Sequence, residues 1–263
     1  MRASEDILDA MCRIAVEAGE AIMEVYNGEF TVEWKEDESP LTIADLRSND
    51  IICRRLSSLL PEIFIWSEEC CSTLFAGKEH KTFFLVDPLD GTKEFLKRND
   101  EFTVNIALIH EGTAIAGVVY APALDTLYFG GVELGGWRRE KGELSKLEAG
   151  SGNESMTLRI IASRSHSSPE QEVWLKSLPL GYTLIGVGSS LKFCRIAEGV
   201  ADVYPRLAPT SQWDTAAAQS ILEAAGGRVV DIQGSPIRYG TNMPVLNPWF
   251  FAVGSGPAPY IGN

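Results

Sequence analysis

Between residues 5 and 26 apolar side chains recur every three to four positions. Ile7, Leu8, Met11, Ile14, Ala18, Ile22 and Val25 share one helical face. Ser4 is placed to cap that helix, the first turn is acidic, and Gly28 lies just past its end. The following FTVEWKEDESPLT is charged and contains Ser39-Pro40, which predicts a strand and then a mobile loop. Thr42, three residues before Asp45, opens a second helix in capping-box fashion, and Pro61 stops it after Leu60. The period then changes. IFIW (63–66), TFFLV (82–86), FTVNIALI (102–109) and AIAGVVYA (114–121) are β-branched and aromatic runs expected to form strands of one sheet. His110-Glu111-Gly112 reads as a hairpin loop, and DTLYFGG (125–131) adds a further strand.

A polar, Gly/Ser-rich stretch, KLEAGSGNESM (146–156), interrupts the pattern and marks a lobe boundary. Beyond it LRIIAS, YTLIGV, ADVY and GRVVDI alternate with helical segments around 169–178, 190–198 and 214–225, the texture of an α/β layer. The expected organisation is an N-terminal α+β lobe over 1–146 and a C-terminal α/β lobe over 147–263, with the active site between them.

Composition narrows the partners more than the fold. The chain of 263 residues is 45% hydrophobic and carries a formal net charge of -13. That charge opposes nucleic-acid polymers and acidic membrane surfaces, which require clustered Lys and Arg. A small anionic substrate is acceptable where bound cations and a few local bases reverse the field. Five cysteines, without CxxC spacing or a Cys/His ligand pattern, point to a reducing cytosol. The acidic N-terminus lacks an apolar targeting core, and no run approaches the ~18 apolar residues of a spanning helix, so no integral membrane segment is expected. Oligomeric state and peripheral association with a membrane stay open.

The chemistry gathers in LVDPLDGTKEF (85–95), where an apolar strand runs into a tight turn presenting Asp87, the Leu89 carbonyl and Asp90. Oxygen donors so gathered suit a hard cation such as Mg²⁺, and a helix opening at Gly91-Thr92 would offer amides to a phosphate. A plain Pro-Asp-Gly turn is the bland alternative. Glu68, in IFIWSEEC, ends another strand and by itself reads equally well as a solvated loop acid. Asp214, in SQWDTAAAQSILEAAGG, starts a helix whose small residues allow close packing on a sheet. It and Asp45 are each explained locally, the first by the helix dipole and the second by capping.

In the order SPLTIAD, WSEE, DPLDGTKEF and WDTAAA, the whole chain resembles the inositol monophosphatase superfamily of metal-dependent, lithium-sensitive phosphatases. FLKRNDEFTVNIALI, SRSH and GSSLKFCRIAEGVADVYPR look like its bacterial 3'(2'),5'-bisphosphate nucleotidase branch. The resemblance implies an α/β layered sandwich of the sugar-phosphatase type, with layers αβαβα. It also implies that Glu68, Asp87 and the Leu89 carbonyl hold one Mg²⁺ while Asp90 and Asp214 join Asp87 around a second. Asp45 and Thr92 would orient and deprotonate the attacking water, with a third ion loosely held near Glu68. Gly91 and Thr92 would contact the scissile phosphate, and His166, Ser189, Lys192 and Arg206 the nucleotide and its other phosphate. Three of these have a plainer explanation: Lys192 as a solvated helix-start charge, His166 as a loop cap, Arg206 as the partner of a nearby acid.

The implied reaction is hydrolysis of adenosine 3',5'-bisphosphate to AMP and phosphate, which serves sulfur assimilation by clearing an inhibitory by-product. The rivals are an inositol monophosphatase or broad sugar-phosphate phosphatase, and a silent nucleotide-binding protein. A haloacid-dehalogenase-type phosphatase would need two aspartates two positions apart, and here Asp87 and Asp90 are three apart. The family commonly has glycine where Ala218 stands, so a methyl is expected to crowd helix-to-sheet packing. Cys70-Cys71 read first as packing residues.

Overall fold

A computed structural model describes residues 3–29, 32–34, 40–69, 79–150, 157–163, 168–179 and 181–258. His166, Cys70, Cys71, the loop after Trp34 and most of the polar 146–156 stretch lie outside the described residues. Helix α1 spans Glu5–Tyr26, and the Ser4 hydroxyl accepts from the Ile7 amide as its cap. Strands β1 (Val32–Trp34) and β2 (Pro40–Thr42) pair antiparallel. Helix α2 (Ile43–Leu59) follows at once, closed by the Thr42–Asp45 capping box.

Strands β3 (Phe64–Ser67), β4 (Thr82–Asp90), β5 (Thr103–His110), β6 (Thr113–Ala121), β7 (Thr126–Gly131), β8 (Gly135–Glu140) and β9 (Glu143–Lys146) lie side by side in chain order as one sheet of seven. β3 and β4 run parallel, and every later neighbour is antiparallel. The short helix α3 (Thr92–Leu96) sits between β4 and β5. Glu111 and Gly112, with φ 48 and 79, make the β5–β6 turn in the doubly left-handed form that suits two-residue hairpins.

A second sheet, of five strands, has the order β11-β10-β12-β14-β13. It comprises β10 (Thr157–Ser163), β11 (Gly181–Val187), β12 (Val203–Arg206), β13 (Arg228–Asp231) and β14 (Phe250–Val253). Helices α4 (Pro169–Ser177), α5 (Leu191–Ala197) and α6 (Ala216–Ala224) alternate with these strands.

Side-chain alternation shows why the strands read as nearly unbroken apolar runs: both faces of the first sheet are covered. Phe84, Val86, Val104, Ile106 and Leu108 pack under α1 and α2, whereas Phe83, Leu85, Ala107 and Ile109 face α5 and α6. Those two helices also pack on the second sheet, whose far face is closed by α4 through Trp174 against Phe251, ring centroids 5.5 Å apart. The layers are therefore helix, sheet, helix, sheet, helix, as the resemblance implied. α6 approaches very closely: a Cβ on Gly117 of β6 would lie 2.1 Å from the Ala217 carbonyl oxygen. Ala218 is 1% exposed and belongs to the same core, so its methyl is accommodated.

Candidate active site

β4 carries the central carboxylates, and it does so on a bulge rather than on the tight turn expected from sequence. Asp87 faces Asn105 and Asp90 faces Thr103, so three steps along β4 answer two along β5. The extra residue is what a β-bulge inserts, and Pro88 falls inside it, where no ladder N–H is required of it. The Ser48 hydroxyl of α2 donates to the Pro88 carbonyl at 2.7 Å and pins the bulge from the other layer. The Leu89 amide donates to Asp87 Oδ1 at 3.1 Å, which folds that carboxylate back over the distorted segment. Gly91 then takes φ 92, a left-handed conformation that L side chains adopt at a cost, and α3 begins at Thr92.

Asp45 serves two neighbours. Its Oδ2 accepts from the Thr42 amide and hydroxyl, both at 2.7 Å, while Oδ1 lies 3.4 Å from the Thr92 hydroxyl. The Thr92 hydroxyl is also 3.4 Å from the Leu89 carbonyl. The capping reading of Asp45 is thus correct and incomplete. Burial lifts its carboxyl to about 6, against hydrogen bonds from Thr42 that pull it down.

Glu68 follows β3 directly, its amide bonded to the Val86 carbonyl so that it stays beside β4. Asp214 precedes α6 in a turn rather than standing in the helix, and its Oδ2 accepts from the Ser211 amide at 2.9 Å. Burial, then the charges of Glu68, Asp90 and Asp214, push the Asp87 carboxyl well up. Asp214 is raised to about 8 by burial and by Asp90 and Glu68. Asp90 is raised by burial, with Lys192 pulling it back.

A cleft of about 220 Å³ joins two of these acids, Asp90 and Asp214, to the second half of the chain; Gly91, Thr92, Ser189, Lys192 and Arg206 line it with them. Lys192 is not the solvated charge its position suggests. It is 8% exposed, its ammonium donates to the Ser189 carbonyl at 2.5 Å and stands 5.5 Å from the Tyr204 ring centroid, and burial lowers its pKa to about 8. Arg206 donates to the Pro209 carbonyl at 2.6 Å, and among the described residues its buried Nε has no partner. Ser189 holds φ 43, and its buried hydroxyl is likewise unpartnered there.

The sequence reading missed Thr103, Asn105, Ser190, Tyr204 and Glu94 as residues at this site. Thr103 and Asn105 had left a signal, two polar residues at strand period within the apolar FTVNIALI.

Among the described residues no three acidic, His or Cys side chains form a ready-made ligand cluster. Like charges without a counter-ion repel, and several oxygens here are turned to backbone or side-chain donors. The donor set nevertheless fits a hard divalent cation: buried carboxylates raise one another's pKa, and a cation among them removes that cost.

A model of the inositol monophosphatase family matches residues 3–254. The chain is 43% identical over 246 residues to the 3'(2'),5'-bisphosphate nucleotidase CysQ of Salmonella typhimurium, covering 93% of this chain and 98% of that protein. The nucleotidase of the same name from Haemophilus influenzae is 33% identical over 253 residues, 95% of this chain and 94% of its own length. In three dimensions the chain is similar to the crystal structure of CysQ from Bacteroides thetaiotaomicron, with a TM-score of 0.83 at 36% identity, covering 96% of this chain and 98% of that one. Among the described residues no helix is long and apolar enough to cross a membrane.

Proposed function

The chain belongs to the inositol monophosphatase family of metal-dependent phosphatases, and from that premise we propose that it hydrolyses the 3'-phosphate of adenosine 3',5'-bisphosphate, yielding AMP and inorganic phosphate. The observation that supports this substrate is the pairing, in one cleft, of the acids Asp90 and Asp214 with the bases Lys192 and Arg206 in a chain of net charge -13. A phosphatase acting on a monophosphate needs a cation site and a place for one phosphate. Two further bases beside that place suit a second phosphate.

Glu68, Asp87 and the Leu89 carbonyl would hold one Mg²⁺, with Asp87, Asp90 and Asp214 around a second. Bound there, such ions would neutralise phosphate oxygens and lower the pKa of an attacking water. The chain's own groups do the rest. The Gly91 and Thr92 amides receive the scissile phosphate at the opening of α3. Thr92, with its hydroxyl between Asp45 Oδ1 and the Leu89 carbonyl, accepts the water's proton as its own passes toward Asp45. Asp45 Oδ2 is held by Thr42, so Oδ1 is the oxygen facing Thr92, and a carboxyl near 6 suits a base at neutral pH. The departing 3'-oxygen takes a proton from solvent water, the proton held at Asp45 returns to solvent, and no covalent enzyme intermediate forms. Arg206 and Lys192 anchor the phosphate that remains, the Ser189 hydroxyl supplies a further donor, and His166, outside the described residues, is carried over from the resemblance alone as a further nucleotide contact. The two sheets act as lobes meeting at this cleft, and the enzyme works in the cytoplasm, clearing a by-product of sulfur assimilation.

Phosphate release tests this reading on adenosine 3',5'-bisphosphate, inositol 1-phosphate and a sugar monophosphate, each with Mg²⁺ and with added Li⁺ or Ca²⁺. The nucleotide should have the highest kcat/KM, and both added ions should inhibit. Faster turnover of inositol 1-phosphate would move the assignment to that rival, and no turnover would leave a silent binding protein.

A further inference from the structure

The hydroxyl of Ser190 stands at the N-cap of α5, where serine ordinarily accepts a hydrogen bond from its own helix, yet it makes no such bond. It reaches instead across the interface between the two sheets. Ser190 Oγ donates to Asn105 Oδ1 at 2.8 Å, and Thr103 Oγ1 lies 2.9 Å away. A hydroxyl has one proton, so with Ser190's given to Asn105, Thr103 must be the donor to Ser190. Accepting at Oδ1 also orients the Asn105 amide: its Nδ2 points the other way and donates to Asp90 Oδ2 at 3.3 Å. The Ser190 backbone N–H reaches the same Oδ2 at 2.6 Å. Thr103, Asn105 and Ser190 are 0%, 1% and 1% exposed, so water cannot easily substitute for any member.

We propose that Thr103, Ser190 and Asn105 are positioning residues, a directed relay that fastens Asp90 Oδ2 to the second half of the chain and leaves Oδ1 as the oxygen offered to a cation. The inference rests on the reading of Asp90 as a metal ligand. Its physical content is that a carboxylate free to rotate binds a cation less well than one whose second oxygen is already held. The relay also ties the metal side to the substrate side. The same Gly188–Ser190 turn is fastened at its other end by the Gly188 amide donating to Glu101 Oε2 at 2.7 Å, and it carries Ser189 into the cleft. Capping of α5 is given up for this link, which a purely structural serine at that position would not do.

Calorimetric titration of the substrate-free protein with Mn²⁺, well below its melting range, tests the relay without reference to activity. Ser190→Ala and Thr103→Val should each weaken Mn²⁺ binding about tenfold. Thr103→Ser, which keeps the hydroxyl, should retain wild-type affinity even though it alters the packing. The Ser190 amide proton, observed by NMR, should move upfield in Thr103→Val as its bond to Asp90 loosens. Unchanged Mn²⁺ affinity in Ser190→Ala, or equal weakening in Thr103→Ser and Thr103→Val, would overturn the relay. Asp90→Ala separates the two levels. If it loses Mn²⁺ affinity while Ser190→Ala does not, the ligand assignment stands and the relay falls. If it binds Mn²⁺ like the wild type, both fall.

Discussion

The two walls of the cleft are built on opposite electrostatic terms. On the β4 side Asp87 and Asp214 are buried among like charges, and their carboxyls are pushed up. On the α5 side Lys192 is just as enclosed, and burial with the nearby Arg206 charge lowers its pKa to about 8, but Asp90 and the Ser189 carbonyl offset part of that cost. The acidic wall therefore gathers repelling charges that a cation would relieve, whereas the charge of Lys192 is partly offset within the folded chain before any ligand binds. Groups that wait for a ligand are costly to stability and indispensable to turnover, and groups already paired contribute to both.

The largest effect that would break this contrast is on turnover. Asp90→Ala or Asp214→Ala should lower kcat by about a thousandfold, on the order of 4 kcal/mol of transition-state stabilisation. The metal-free Asp214→Ala protein should melt no lower than the parent near neutral pH, because the cost of burying that carboxyl has gone. Near-normal phosphate release by a folded Asp90→Ala protein would remove the metal assignment.

Substrate discrimination comes next. Charge-assisted hydrogen bonds contribute about 1.5–3 kcal/mol, so Arg206→Ala should raise KM for adenosine 3',5'-bisphosphate roughly tenfold to a hundredfold and scarcely affect a monophosphate. Lys192→Ala should raise KM for the bisphosphate to a similar extent, and it should also weaken turnover of the monophosphate, because the structure ties Lys192 to Ser189 and Asp90. Equal, selective effects in the two variants would show that Lys192 does not support the metal side through Ser189 and Asp90.

The two walls also separate by pH. The folded Asp214 carboxyl, at about 8, lies above its ordinary 3.8, so its favourable contribution is complete below about 4 and is lost as pH rises through 8. In a chelator the melting temperature should fall across that window, and Asp214→Asn should flatten the slope. Mg²⁺ should raise the melting temperature more at pH 8 than at pH 6. A Mg²⁺ effect independent of pH would place the cation elsewhere.

Ala218→Gly gives the smallest expected change. Glycine inside a helix costs about 1 kcal/mol relative to alanine, so melting should drop by a few degrees with kcat unaltered. A change in kcat would mean that the methyl matters to the placing of Asp214.

Much of this molecule was legible along the chain, because much of it is local. The apolar period of α1, the Ser4 cap, the Thr42–Asp45 capping box and the β-branched runs of β4 to β7 each depend on residues a few positions apart. β8, beginning Gly135-Gly136, carries no such signal; it is a strand because a neighbouring ladder completes it. The carboxylates of DPLDGT were visible as a set, but their aim depends on a register slip against β5 that no local pattern encodes. The same holds for Lys192 and Ser190. Sequence placed one at a helix start and the other beside it, and only packing of α5 between the two sheets buried the ammonium and turned the serine hydroxyl away from its own helix toward Asn105. Residue type and spacing determine which groups are available. The long-range contacts that exclude water determine which of them are charged, paired and pointed at the same place.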